Sequence, residues 1–233
     1  MNGKLEVGDT LGEVFRTYGE HAGVLLPVAF WLYLVVAIVN GVVGTSLAFF
    51  PLVIVAGTIV GTLYQGMVVG LVRDVKDGRR DSSVSELFGF ALPVLLPLIG
   101  AGLLSGLGIG VGMVLFIAPG LILLTIWAVI APAIVVERVG VFEAFGRSRQ
   151  LVRGSGWAVF GVVITAFLIA AIGSVIFNAI AAGISDGPIV RIVFSALAST
   201  ITAPIVALAA GILYYRLLAL QPPAPLDNQP PPA

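Results

Sequence analysis

A chain of 233 residues in which hydrophobic side chains make up 59% and charged ones 10%, with 12 basic against 12 acidic residues, is too apolar for a water-soluble core. Zero net charge removes the general case for nucleic-acid binding, and the absence of cysteine excludes a disulfide framework, a thiolate nucleophile and a cysteine metal site. The apolar residues fall in runs long enough to cross a bilayer, so a single polytopic membrane domain is expected.

The chain opens on a charged stretch holding Lys4, Glu6, Asp9, Glu13, Arg16 and Glu20. This is no cleavable signal peptide, and the first span is expected to serve as the targeting signal. No charged side chain then occurs between His21 and Arg73, or between Glu86 and Glu137, and the stretch from Gly154 to Tyr215 is interrupted only by Asp186 and Arg191. A charge at the centre of a span costs roughly 2.5–3.5 kcal/mol on insertion scales, which is the reason for such empty runs. Each run accommodates two spans, and Gly183, Asp186-Gly187 and Pro188 supply a turn between the last two.

Six transmembrane helices are therefore expected, over residues 23–46, 50–72, 93–118, 120–136, 157–182 and 190–218. The division near Phe50-Pro51 has no polar loop, and the fourth span is short enough that a re-entrant pair around Pro119-Gly120 is an alternative. Each run starts and ends on one side in either case. Lys4, Arg16, Arg73, Lys76, Arg79, Arg80, Arg138, Arg147, Arg149, Arg153 and Arg216 share that side, and Arg191 faces the other. The positive-inside rule then makes it the cytoplasmic side of the inner membrane, with both termini there. Residues 221–233, QPPAPLDNQPPPA, are expected to be a disordered proline-rich tail beyond a single membrane domain over 1–220.

The three polar segments share a pattern. Thr10-Leu11-Gly12-Glu13-Val14-Phe15, Ser83-Val84-Ser85-Glu86-Leu87-Phe88 and Gly140-Val141-Phe142-Glu143-Ala144-Phe145 each read as a helix start. A hydroxyl followed three residues later by glutamate is the capping box, so Thr10 with Glu13 and Ser83 with Glu86 are expected caps, and Gly140 with Glu143 a weaker one. Apolar residues recur downstream on one helical face, with Ser148 the exception in the third copy. Each copy reads as an interfacial amphipathic helix ahead of a two-helix hairpin, giving repeat units over 9–72, 82–136 and 140–218. Such units start on one side of the membrane, so the fold expected is an all-α, pseudo-threefold bundle of three hairpins.

From Ala118 onward, Pro119-Gly120, Trp127, Pro132-Ala133, Val136-Glu137, Ala144, Arg147-Ser148, Leu151-Val152, Gly154 and Trp157, with LGEVFRTYGEHAGVLL near the start, carry a family resemblance. The chain resembles uncharacterised bacterial membrane proteins related to the membrane domain found beside some glycerophosphodiester phosphodiesterases. Arg149 departs from the pattern, which leads one to expect tryptophan there. In the fused members the chemistry belongs to a separate soluble barrel. The resemblance thus implies a helical membrane module, with no activity assigned to it.

No catalytic, cofactor-binding or metal-binding constellation stands out. His21 is the sole histidine and reads as an interfacial polar residue. No acidic or basic side chain sits inside an expected span, which argues against a proton relay. The intramembrane polar residues, chiefly Asn40, Gln65 and Asn178, are expected to bond between helices. Gly57 and Gly61, Gly66 and Gly70, and Gly102, Gly106 and Gly110 are spaced for close helix packing. Arg147, Arg149 and Arg153 are candidate contacts for anionic lipid headgroups.

Expected partners are membrane lipids and a membrane-protein partner or second copy. The function expected first is a non-enzymatic scaffold, assembly or membrane-organising component. The alternative is a carrier for a lipid or small apolar solute, with an integral membrane enzyme third. A polar or amphiphilic cavity reaching Asn40, Gln65 or Asn178 favours the carrier, and a centre sealed by glycines favours the scaffold. An enzyme requires His21 to meet carboxylates such as Glu20 or Glu137.

Overall fold

The computed structural model describes residues 5–43, 49–78, 83–185 and 187–221. Arg79, Arg80, Asp186 and residues 222–233 of the proline-rich tail expected over 221–233 lie outside them. The described residues contain no strand and form the helices α1 Val7–Val43, α2 Phe50–Lys76, α3 Val84–Ala91, α4 Leu95–Leu115, α5 Ile117–Ile126, α6 Ile130–Glu137, α7 Val141–Val152, α8 Gly156–Ile184 and α9 Pro188–Ala219. Six stretches are long and apolar enough to cross a membrane, α3–α4 and α5–α6 counting as one each. The protein is an all-α polytopic membrane protein.

The three polar segments join their spans differently. In the third, α7 is a separate helix, ended by Arg153 leaving helical backbone and by Gly154 at φ +92°, a conformation side chains resist. In the second, α3 leads into α4 through a 3-10 turn at Leu92–Val94 that holds Pro93, which cannot donate a backbone hydrogen bond. In the first there is no break. The 37 residues of α1 run continuously, about 55 Å at 1.5 Å per residue, past the roughly 30 Å of a hydrocarbon core. The expected separate first helix is thus the charged extension of the first span.

Thr10 accordingly does not cap. The helix starts three residues earlier at Val7, and the fully buried Thr10 hydroxyl donates to the Glu6 carbonyl at 2.7 Å. No residue nearby carries the positive φ that ends α7, so the backbone continues as helix. Ser83 and Glu86 do form a capping box, with the Glu86 amide donating to Ser83 Oγ at 3.4 Å and the Ser83 amide to Glu86 Oε2 at 3.0 Å. Gly140 is the N-cap of α7 in extended conformation, and Glu143 stands exposed in the first turn.

The fourth span is broken. Pro132 removes the amide that would reach back to Ala128, and the chain loosens over Trp127–Val129 between α5 and α6. Its turn with α4 falls at Phe116, in extended backbone, a few residues before the expected division. Here α4 and α5 meet through glycines, since a Cβ on Gly112 would lie 3.0 Å from the Gly120 backbone.

Packing is arranged around α2, α6 and α9, which touch one another. Within each helix pair the partners also pack, α1 on α2, α4 on α5 and α8 on α9, and the second helix lies against the first of another pair, α2 on α4, α5 on α8 and α9 on α1. The largest buried side chains, including Tyr64, Met67, Leu71, Ile134, Leu208, Leu213 and Tyr214, cluster towards the ends of α2, α6 and α9 that carry Lys76, Glu137 and Arg216. We call this the basic side. Towards the far ends the buried residues thin to small ones such as Ala37, Ala181 and Ala196, so the bundle is tight at the basic side and looser beyond mid-depth.

Candidate functional site

The basic side is fastened by two polar clusters. In one, Arg147 Nε of α7 donates to both Glu137 carboxylate oxygens at 2.8 Å, and the Tyr214 hydroxyl of α9 donates to Glu137 Oε1 at 2.7 Å. One carboxylate thereby ties α6, α7 and α9. In the other, Glu13 of α1 accepts from Lys76 of α2 at 2.5 Å and from Arg216 Nε of α9 at 2.9 Å. Glu13, expected as a capping residue, is the hub that joins both termini of the bundle to α2.

Among the three arginines expected at headgroups, Arg147 is held by Glu137, whereas Arg149 and Arg153 are exposed. They share the outward side of α7 and its exit with Phe142 and Trp157, each more than four-fifths exposed. The inward side, with Ala144, Ser148 and Leu151, is covered by protein rather than lipid, and Phe145 meets Trp127 edge-on at 4.9 Å. Val14, Leu87 and Ala144 hold the same place in the three aligned polar segments, and all are buried.

Ser148, the polar exception on the inward side, fits the break in the fourth span. Its hydroxyl donates to the Ile126 carbonyl at 2.7 Å and accepts from the Val129 amide at 3.4 Å. Those are backbone groups that the interrupted helix leaves unpaired, and in a membrane each would otherwise cost several kcal/mol. Sequence reasoning missed this role. The available signal was a hydroxyl at a core position together with Pro132 in an apolar run.

His21 does not meet a carboxylate through these contacts. Its Nδ1 lies 3.2 Å from the Thr17 carbonyl of its own helix, and Glu137 is taken up by Arg147 and Tyr214. The described residues contain no group of three His, Cys, Asp or Glu side chains able to hold a metal.

Cavities from mid-depth to the far side reach the three intramembrane amides. A cavity of about 190 Å³ lies among α2, α4, α8, α9 and Trp127, with Gln65 and Ser105 on its wall. It shares Gln65, Phe167 and Val206 with a second of about 410 Å³, which also reaches Tyr33, Thr62 and Thr202. That one meets, at Thr58 and Gly102, an apolar groove of about 590 Å³ along α2 and α4. The threonine hydroxyls here donate to carbonyls within their own helices. Neither the Gln65 amide nor the Tyr33 hydroxyl has a hydrogen-bond partner among the described residues.

The glycine spacing is divided between packing and space. Gly66, Gly70 and Gly102 touch Ala91, Phe90 and Thr62, so added Cβ atoms would crowd. Gly57, Gly106 and Gly110 have nothing within 4 Å, and the last two line the groove instead of sealing it. On the other side of α4, Gly108 meets Trp127 and Gly112 meets Gly120. The stripe expected to pack is therefore the open one beyond Gly102, because α5 takes the opposite side.

No family model matches the chain, and no solved structure matches it. Among curated proteins, a UPF0259 membrane protein of Pectobacterium carotovorum subsp. carotovorum (strain PC1) is 38% identical over 101 residues, 43% of this chain and 40% of that protein. The chain thus covers less than half the length of the curated relative it matches. The similarity supports resemblance to an uncharacterised bacterial membrane family and carries no phosphodiesterase connection.

Proposed function

We propose that this protein holds or carries a membrane amphiphile in the connected cavities around Gln65. The observation that supports this most is the Gln65 amide, with no partner of its own, on the shared wall of two cavities near the middle of α2. An unpaired amide at that depth costs about 1–3 kcal/mol, which a bound polar group offsets. The two cavities contain no charged side chain, so the polar part recognised there is uncharged, such as a hydroxyl, ester or amide. The apolar groove open at Gly106 and Gly110 suits a hydrocarbon chain entering from the lipid.

Around this site the proposal includes a non-enzymatic chain in the inner membrane, both termini cytoplasmic, built of three repeated units in a pseudo-threefold ring. The contacts of α2 on α4, α5 on α8 and α9 on α1 support the ring, and the matched burial of Val14, Leu87 and Ala144 supports the repeat. The resemblance to the phosphodiesterase-associated membrane domain belongs to the same proposal. Exposed Arg149 and Arg153 are proposed to lie among anionic headgroups.

The test is Gln65→Leu, which keeps the helix and removes the amide. Native mass spectrometry and lipid extraction of the purified variant should show at least a tenfold fall in a co-purifying amphiphile that the unaltered protein retains. Equal retention by both proteins would reject the carrier reading and return the scaffold as the better one.

A further inference from the structure

A second polar site lies at the far side, remote in sequence from the clusters of the basic side. Arg191 of α9, Asn40 of α1, and Asn178 of α8 line a pocket of about 190 Å³, with Ser195 and the Gly41 backbone beside them. Gly41 makes this possible: the Ile192 side chain occupies the space a Cβ would fill, so α1 approaches α9 closely enough to bring Asn40 to Arg191.

Arg191 is the fourth residue of α9, in a helix start that already carries about half a positive charge and has no acidic residue in its first turn. The C-terminal end of α8, which carries a partial negative charge, lies near the pocket through Asn178, so the charge that favours an anion here is that of Arg191 itself. Among the described residues no carboxylate pairs with its guanidinium. The Asn178 amide spends one N–H on the Ser174 carbonyl at 2.7 Å and keeps the other, and Asn40 has no hydrogen-bond partner among the described residues. A planar cation, amide donors without protein partners and a hydroxyl thus line one small, open pocket, with Arg191, Asn40 and Asn178 themselves exposed. Asn178 sits six residues inside the end of α8, about 9 Å along the axis, and Asn40 shares its pocket, so the site lies towards the far ends of the spans.

We propose that this pocket binds a phosphate group, as a lipid phosphodiester of the far leaflet or as a free phosphate ion. Arginine suits it because its fork of donors matches phosphate oxygens in pairs. The proposal does not rest on the Gln65 cavities, which differ in residues, depth and charge.

The experiment uses the full chain carrying Arg16→Gln, Arg138→Gln, Arg149→Gln and Arg153→Gln, which removes arginines exposed at the basic side. In nanodiscs of phosphatidylcholine with a minor share of phosphatidylglycerol, native mass spectrometry counts bound phosphatidylglycerol. In neutral detergent, calorimetry follows inorganic phosphate. Arg191→Gln should lower affinity at least tenfold in whichever arm shows binding, the paired change Asn40→Leu with Asn178→Leu should lower it severalfold, and Arg191→Lys should keep part of it. Binding in the lipid arm alone assigns a headgroup, and binding in the calorimetric arm assigns the free ion. Unchanged affinity in Arg191→Gln, no binding in either arm, or loss in Arg191→Gln with none in the asparagine pair would overturn the pocket. Helical circular dichroism of each variant separates loss of binding from loss of fold, and Arg191→Lys with the asparagine pair keeps the test open if Arg191→Gln does not fold.

Discussion

Ser148 shows how much one hydroxyl decides in an apolar bundle. It is fully buried, and its two hydrogen bonds go to backbone groups freed by the break between α5 and α6. Ser148→Ala keeps nearly the same volume and leaves those groups unpaired, at about 1–3 kcal/mol each where no water reaches. We expect a lowered thermal unfolding midpoint in detergent, with Ser148→Thr intermediate; an unchanged midpoint in Ser148→Ala would show the break to be satisfied in another way. Glu137 works differently, because its carboxylate holds Arg147 and Tyr214 together. Arg147 is thereby a fastening between helices, whereas Arg149 and Arg153 stand exposed.

At the scale of the element, α4 has two glycine sides that the sequence does not tell apart. A Cβ at Gly112 would press on the backbone of Gly120 at 3.0 Å, and backbone cannot rotate away. Gly110 faces the groove with nothing within 4 Å. Gly112→Ala should destabilise by about 1–3 kcal/mol through overpacking. Gly110→Ala should be neutral or stabilising by up to about 1 kcal/mol, because alanine costs a helix less than glycine. Unfolding midpoints of the two purified variants compare them directly, and equal losses would mean that the groove closes in the membrane. The continuous α1 makes a related point, since its charged extension is held by Glu13 reaching Lys76 and Arg216 rather than by a cap of its own.

For the whole molecule, the tight half at the basic side and the cavities beyond mid-depth suggest a bundle that opens towards one leaflet. Sidedness then determines which leaflet supplies a ligand. Reporters fused after Arg80, after Arg153 and at the carboxyl end should report cytoplasm, and one at Asp186 the opposite side. A cytoplasmic signal from the Asp186 fusion would reverse the assignment of the cavities to leaflets. Arg191, near the start of α9, is the one basic residue expected on that same side.

Charge-free apolar runs determined the six spans and the all-α class, because excluding charge from hydrocarbon is a one-dimensional constraint that the chain must meet locally. The capping box at Ser83 and Glu86 was legible for the same reason, being a contact within four residues. What the neighbours do was left to the tertiary structure. Thr10 follows the capping pattern yet lies inside a helix, Gly106 and Gly110 follow the packing pattern yet line a groove, and Ser148 breaks the apolar pattern because α5 and α6 need it. Asn40, Asn178 and Arg191 lie far apart in the chain and become a pocket only where Gly41 lets α1 close on α9. Helix periodicity shows which residues share a face, but which helix covers that face depends on packing between distant segments, and that is decided in three dimensions.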